Sequence, residues 1–393
     1  MIQFHLQTYQ TDREHRKRMR MQQLPTFQHV RSHNIRSVFD AIAENQPLSR
    51  VDIAHMFDLS PASVTRVVNR LMEVDLVEET PISNSTGRGR KAVGLQMRAS
   101  AMYIAGIGVS RSNVKVCMMD FCENILAEKE INLQREFTID GLVQAIVPIV
   151  EAMVKQTGID RRKLLAAGIA IPGVVSHSDG IAHRSDQLSW IDVPVANAVS
   201  RALGCAAYLE NDVNACLLSE RSKRGMTADM DAVYLLVDRG MGIAMSANGK
   251  LVRGLDNRAG ELDRIPVEAD TAMQDHLLEK YIIARAQKAE PSVMTLDDLF
   301  TAYRMKLSWA RWIIQDLRSH LITVLSMVQG LCAPHALILG GSVIEHFYTL
   351  LEAELPENAI LSTDFIGGVS AGAALCARKY ALQSLIIAQA MKG

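Results

Sequence analysis

The sequence predicts an α/β protein with a small mixed domain at its N-terminus and two α/β lobes behind it. Three observations lead there. Short helical patterns and a hairpin pattern crowd the first hundred residues. From Tyr103 onward, buried-strand runs such as "YIAGIGV" and "VKVCMMDF" alternate with amphipathic helices, as in packed α/β layers. The alternation then starts again at "AVYLLVDRGMGIAM", so the later part divides into two similar halves with a cleft between them. No fixed short-period repeat appears, which argues against a solenoid.

Bulk properties fit a soluble globular chain. Its 393 residues suggest two or three domains. Hydrophobic residues make up 48% and charged residues 22%, enough for a large core. The net charge is -1, so any contact with nucleic acid must come from a local patch. The six cysteines are scattered with no C-x-x-C pair, which argues against a disulfide framework or a cysteine-rich zinc site. The N-terminus is polar and then basic, unlike a signal peptide. No run of about 18 apolar residues occurs, so neither membrane insertion nor a transmembrane helix is expected. The expected location is cytoplasmic.

Residues 1–27 read as an N-terminal arm. Arg13, Arg16, Lys17, Arg18 and Arg20 surround a single acid, Glu14. Such a run is either a solvated tail or an arm that meets a polyanion.

Residues 28–98 read as one small domain. Val30, Ile35, Val38, Phe39 and Ile42 fit one face of a first helix, which "NQP" ends. Ser49, with Asp52 three residues on, caps a short second helix, and Leu48 can staple onto Ile53. Ser60 caps a third helix with Pro61 at its first position. Val64, Val67, Val68 and Leu71 form its apolar stripe. Its opposite face shows Ser63, Thr65, Arg66, Asn69 and Arg70, groups suited to phosphates and base edges. A short helix, a tight turn and a helix with a hydrogen-bonding front make a helix-turn-helix. "LVEET" and "AVGLQM" follow as two strands. Between them Arg88, Arg90 and Lys91 alternate with Gly87 and Gly89, like a wing that enters a minor groove. The ordered set predicts a winged helix-turn-helix that binds double-stranded DNA through Ser60, Ser63, Thr65, Arg66, Asn69, Arg70, Arg88 and Arg90.

Residues 99–393 carry a family resemblance. "GIAIPGVV", "LSWIDVPV", "ENDVNA", "GMGIAMSANGKLVRG", "AGEL" and "LILGGSV" occur in one order. With them the chain resembles the ROK family of repressors, open reading frames and sugar kinases, in the branch of glucose- and N-acetylglucosamine-responsive repressors. The resemblance implies a two-lobed actin-like, ribonuclease-H-like ROK domain that binds sugar in its cleft. Kinase members have D-x-G-G-T in the first hairpin, where this chain has Gly108, Ser110, Arg111 and Ser112. The metal-holding Asp and both phosphate-approaching glycines are therefore replaced. Asp212 matches the kinase base, left here as a vestige without an ATP cradle. The implied effector contacts are Gly173, Gln187, Asn211, Asp212, Glu261, Arg264 and Glu279. Asn211 and Asp212 also read as a helix N-cap, and the two roles are compatible.

Three departures from the family stand out. Gln187 replaces the usual Asn. Asp263 and Arg264 replace a Gly-His pair. The cysteine-rich zinc segment is missing, so no metal and no cofactor is expected, and His276 reads as a lone histidine of surface or core. Arg264, with Arg258, points toward an anionic effector such as a sugar phosphate.

The resulting expectation is a sugar-controlled transcriptional regulator, a repressor of carbohydrate genes without catalytic activity. It would act as a homodimer or tetramer on a palindromic operator. The alternatives are an active sugar kinase with an appended DNA-binding domain, and a regulator controlled by a transport-protein partner. For the latter, the apolar face of "ALQSLIIAQAM" packs on its own domain, on a dimer mate or on that partner.

Overall fold

A computed structural model describes residues 27–81, 93–133, 138–262, 265–268, 270–351, 354–362 and 364–391. The basic arm and the wing tip with Arg88, Arg90 and Lys91 lie outside the described residues, as does Arg264. The chain forms two compact units, one of Met1–Ala101 with Leu382–Gly393 and the other of Met102–Ala381.

The first unit opens with helix α1 (Phe27–Asn45), strand β1 (Leu48–Ser49), α2 (Arg50–Phe57) and α3 (Pro61–Glu73). Strands β2 (Val77–Pro81) and β3 (Val93–Met97) complete a sheet of order β1-β3-β2. Local chemistry starts and stops these elements. Ser49 and Asp52 form a reciprocal capping box, and Asp58 ends α2 in the left-handed region with φ 49°. Ser60 accepts from the Ser63 N–H at 3.2 Å, and Pro61 needs no partner at the first helical position. Val38, Phe39, Ile42, Ile53, Val64, Val68, Leu71 and Leu95 make the core. Val67 was expected in this stripe but is only half-buried, because it sits at the edge of the apolar arc. The two-residue β1 has too little pattern to be read from sequence. It pairs Leu48 with Leu95 and Ser49 with Gly94.

The second unit contains two lobes of matching topology. In the first lobe, β4 (Tyr103–Val109), β5 (Asn113–Asp120) and β6 (Ile125–Asn132) form an antiparallel meander. Helix α4 (Ile139–Thr157) leads to β7 (Leu164–Ile171), which runs parallel to β4. A small sheet of β8 (Val174–Ser176), β9 (Ile181–Ser185) and β10 (Trp190–Val193) follows. Helix α5 (Val195–Leu203) then returns to β11 (Ala206–Asn211), parallel to β7. The sheet order is β11-β7-β4-β5-β6. Helix α6 (Asp212–Lys223) leads into the second lobe.

There β12 (Ala232–Val237), β13 (Met241–Ala247) and β14 (Lys250–Leu251) repeat the meander. A short ribbon of β15 (Pro266–Glu268) and β16 (Thr271–Ala272) precedes four helices. These are α7 (Met273–Leu277), α8 (Glu279–Ala289), α9 (Leu296–Arg304) and α10 (Ser308–Cys332). Strand β17 (Ala336–Gly340), α11 (Ser342–Leu351) and β18 (Ala359–Leu361) close a sheet of order β14-β13-β12-β17-β18. Both sheets thus place an antiparallel meander on one side of the first strand and two parallel strands on the other.

Helix α12 (Phe365–Met391) packs at backbone distance on the first lobe. A Cβ on Gly106 of β4 would lie 2.1 Å from the Ser370 carbonyl oxygen, and one on Gly168 of β7 only 1.8 Å from that of Ala373. Gly372 of α12 would meet the Ala215 carbonyl oxygen at 1.8 Å. No side chain fits at these crossings. Among the described residues no helix is long and apolar enough to cross a membrane.

Gly168→Ala is expected to destabilise the protein by more than about 3 kcal/mol, because backbone must move. Gly204→Ala has open space around it and pays only for φ +61°, about 1 kcal/mol. Urea unfolding of the two variants checks the contrast.

Candidate functional site

The ends of β4, β7 and β11 face the turn after β12 across a cleft of about 1330 Å³. The β4–β5 turn contributes Arg111 and Ser112. Its geometry is closed by Ser110, whose N–H donates to the Asn113 carbonyl at 2.9 Å and whose hydroxyl meets the Asn113 side chain. At Gly108 a Cβ would sit 3.0 Å from the Ser370 nitrogen, so this glycine keeps β4 close to α12.

The β7–β8 connection turns at Gly173, where φ is +113° and a Cβ would lie 2.3 Å from the Arg184 carbonyl oxygen. The Gly173 carbonyl accepts from Asn211 Nδ2 at 3.0 Å. Asn211 Oδ1 meanwhile accepts from the Val213 and Asn214 N–H groups at 2.9 and 3.1 Å, capping α6. The amide therefore positions the cleft floor with most of its capacity.

Asp212, the first residue of α6, is 8% exposed and accepts from the Val213 N–H at 2.9 Å. Burial pushes its carboxyl up to about 6, and the charges of Glu261 and Asp238 add to the shift against that hydrogen bond. Behind it, Glu210 is 1% exposed. It accepts from Asn214 Nδ2 at 2.9 Å and from the Asn211 N–H at 3.1 Å, and it pairs with Arg253 of the second lobe.

The second lobe supplies the opposite wall. The turn from Asp238 to Gly240 brings Arg239 and Gly240 to the cleft. Gly240 lies against Gln187, whose Nε2 would be 2.9 Å from a Cβ there. Gly260, at φ +97°, presses on the Ile243 carbonyl and presents Glu261. Glu279 opens α8 and accepts from the Ser342 hydroxyl at 3.2 Å, and the same hydroxyl meets Asp238 Oδ1 at 2.5 Å.

Gly173, Gln187, Asn211, Asp212, Glu261 and Glu279 thus all line one cleft. Arg258 also lines it. Glu210 and Arg253 were missed in the sequence. The signal was present as a carboxylate at the end of an apolar strand beside "ND", but its partner lies 43 residues away. His276 is not a lone histidine. It sits 3.3 Å from Asp316 and its ring stacks on His320 at 4.0 Å, because α7 folds onto α10.

In the first unit, Thr65, Arg66 and Asn69 are exposed on α3, while Ser63 and Arg70 are half-buried. Ser60 and Ser63 hydroxyls meet each other at 2.9 Å, and Thr65 donates back to the Pro61 carbonyl at 2.8 Å. The hydroxyls are engaged within the helix, so Arg66 and Asn69 carry the outward donors of this face.

Asp212→Asn is expected to raise stability above pH 6 by about 2–3 kcal/mol. The folded carboxyl titrates near 6 and the unfolded one near 3.8. Stability is therefore highest below the unfolded value, falls as pH rises between the two, and stays reduced above. Urea midpoints of the variant and parent should converge near pH 3.8 and separate by pH 7.

Comparison with known proteins matches this arrangement. The chain is 23% identical over 332 residues to the DNA-binding transcriptional repressor Mlc of Escherichia coli K12, covering 79% of this chain and 81% of that one. It is 27% identical over 225 residues to the xylose repressor of Caldicellulosiruptor bescii, covering 57% and 56%. A crystal structure of a ROK family transcriptional regulator, a homologue of E. coli Mlc, superposes with TM-score 0.74 at 20% identity, covering 93% of this chain and all of that one. A ROK hexokinase from Thermus thermophilus gives 0.59 at 19% identity, covering 71% and 99%. These likenesses carry the two-lobed fold. The ROK family pattern matches residues 104–360, which is more than half of the sequence, and the chain belongs to the ROK family.

Proposed function

We propose that this protein is a DNA-binding transcriptional repressor of carbohydrate-metabolism genes, controlled by a sugar or sugar phosphate in the ROK cleft and without kinase activity. The observation that carries the reading is the pairing of two features in one chain. A Ser-Pro-capped helix exposes Arg66 and Asn69 over an apolar back, and the cleft has Arg111 where a nucleotide cradle needs glycine. The names of the relatives point the same way.

The cleft chemistry suits a polyhydroxyl ligand with an anionic group. Asp212, Glu261 and Gln187 offer acceptors and an amide for vicinal hydroxyls. Arg111, Arg239 and Arg258 are exposed along the same walls, and none has an ion-pair partner among the described residues. Guanidinium groups suit phosphate through paired N–H donors. Effector binding would act by favouring one lobe arrangement over another, which needs a difference in affinity between the two. A symmetric homodimer on a palindromic operator fits one helix α3 per half-site.

One observation favours a second reading. Asp212 remains at the catalytic-base position of a fold shared with a hexokinase, with its carboxyl pushed toward neutral pH. An active sugar kinase would transfer phosphate from ATP to a hexose, and repeated failure with hexoses and amino sugars is the expected result.

Two measurements check the leading reading. Selection of bound genomic fragments at stated salt should return a few palindromic sites beside carbohydrate genes. At such a site Arg66→Ala or Asn69→Ala should cost about 1–3 kcal/mol of specific binding. In the cleft, the double variant Arg111→Ala with Arg239→Ala should erase any preference for a hexose phosphate over the free hexose. Thermal-shift titration with both ligands reads this, and an unchanged preference would remove the arginines from the effector site.

A further inference from the structure

Outside the cleft, two imidazoles and a carboxylate converge between α7 and α10. His276 comes from α7, while Asp316 and His320 are four residues apart on α10 and share one face. One donor atom from each of the three lies within 4.8 Å of the others. The side chains are 14%, 21% and 16% exposed, so the cluster is shielded yet reachable. The imidazole rings stack at 4.0 Å with an interplanar angle of 21°.

The surroundings orient the donors. Arg285 lies 2.8 Å from Asp316 Oδ2 and holds one side of the carboxylate, leaving Oδ1 toward His320. His320 Nδ1 is 2.8 Å from the Asp316 main-chain carbonyl. His276 has Asp316 Oδ2 and the Thr271 hydroxyl at 3.3 Å from its two nitrogens. Partners on the second nitrogen of a histidine and on the outer oxygen of a carboxylate are what metal ligands use to keep their orientation.

We propose that His276, Asp316 and His320 form a divalent transition-metal site, with Zn²⁺ the best match. Two nitrogens and one oxygen suit Zn²⁺ at about 2.0–2.2 Å, with water in the fourth position. The site uses no cysteine and draws on a helix 40 residues beyond His276. It has a structural consequence. Gln274 and Glu279 flank His276 in the chain and both line the cleft, so an ion here ties that wall to α10. The positive charge of Arg285 opposes the ion and keeps the site weaker than a cysteine-rich one.

The test uses the full chain, stripped with chelator and titrated with Zn²⁺ alone at neutral pH. Calorimetry should show one equivalent per chain, and saturating Zn²⁺ should raise the unfolding temperature. His320→Gln and Asp316→Asn should each weaken that equivalent at least ten-fold while retaining the circular dichroism of the parent. His276→Gln serves as a third variant if either of the others fails to fold. Cobalt should give a visible absorption band in the parent that the variants lack. No saturable binding by the parent would overturn the proposal. So would an equivalent of unchanged affinity in the folded variants, because the ion would then sit on other histidines of the chain.

Discussion

The buried carboxylate of Glu210 is the constraint on which the cleft is built. At 1% exposure it cannot rely on water, so its charge must be answered by protein. Four groups answer it. The Asn211 N–H and Asn214 amide come from the start of α6, the Cys376 thiol from α12 at 3.7 Å, and Arg253 from the second lobe. One residue thereby ties the end of β11 to α6, to the last helix and to the opposite lobe. Asn211 and Asp212 follow it directly, so their place on the cleft floor depends on how Glu210 is held. Burial of the Cys376 thiol itself, and next the neighbouring charge of Glu210, raise that thiol well above its usual value, which keeps it protonated.

Close backbone approach is the second condition. Gly106, Gly168 and Gly372 let α12 and α6 lie against the first sheet where no Cβ would fit. Gly108 packs in the same region, its Cβ position 3.0 Å from the Ser370 nitrogen, so the strand needs a small residue there for packing alone. The turn itself is closed by Ser110 and Asn113 and offers the cleft the guanidinium group of Arg111.

Much of the fold was legible because its signals are local. Ser49 with Asp52, and Ser60 with Pro61, each start a helix through bonds spanning a few residues. Strands β4, β5, β7, β12 and β17 are apolar runs, the pattern of buried strands. β1 was missed because two residues show no period, and Val67 was misplaced because a four-residue stripe does not say how wide the buried arc is. In the cleft, Asn211, Asp212 and Glu261 stand in contiguous motifs. Gly240 and Gln187 meet across the lobes, and sequence order alone does not reveal that approach.

By itself the sequence determined the caps, the strand runs, the order of the motifs and the replacement of glycine by Arg111, since each is a property of neighbouring residues. Only the tertiary structure decided which charges meet. Arg253 reaches Glu210 from 43 residues away, and Asp316 reaches His276 from 40. The physical reason is that burial sets the strength of an electrostatic contact, and burial is a property of the assembled layers. Asp212 shows both halves of this division. Its position in "ENDVNA" is plain in the chain, while its titration near pH 6 exists only once the lobes remove water and bring Glu261 and Asp238 near.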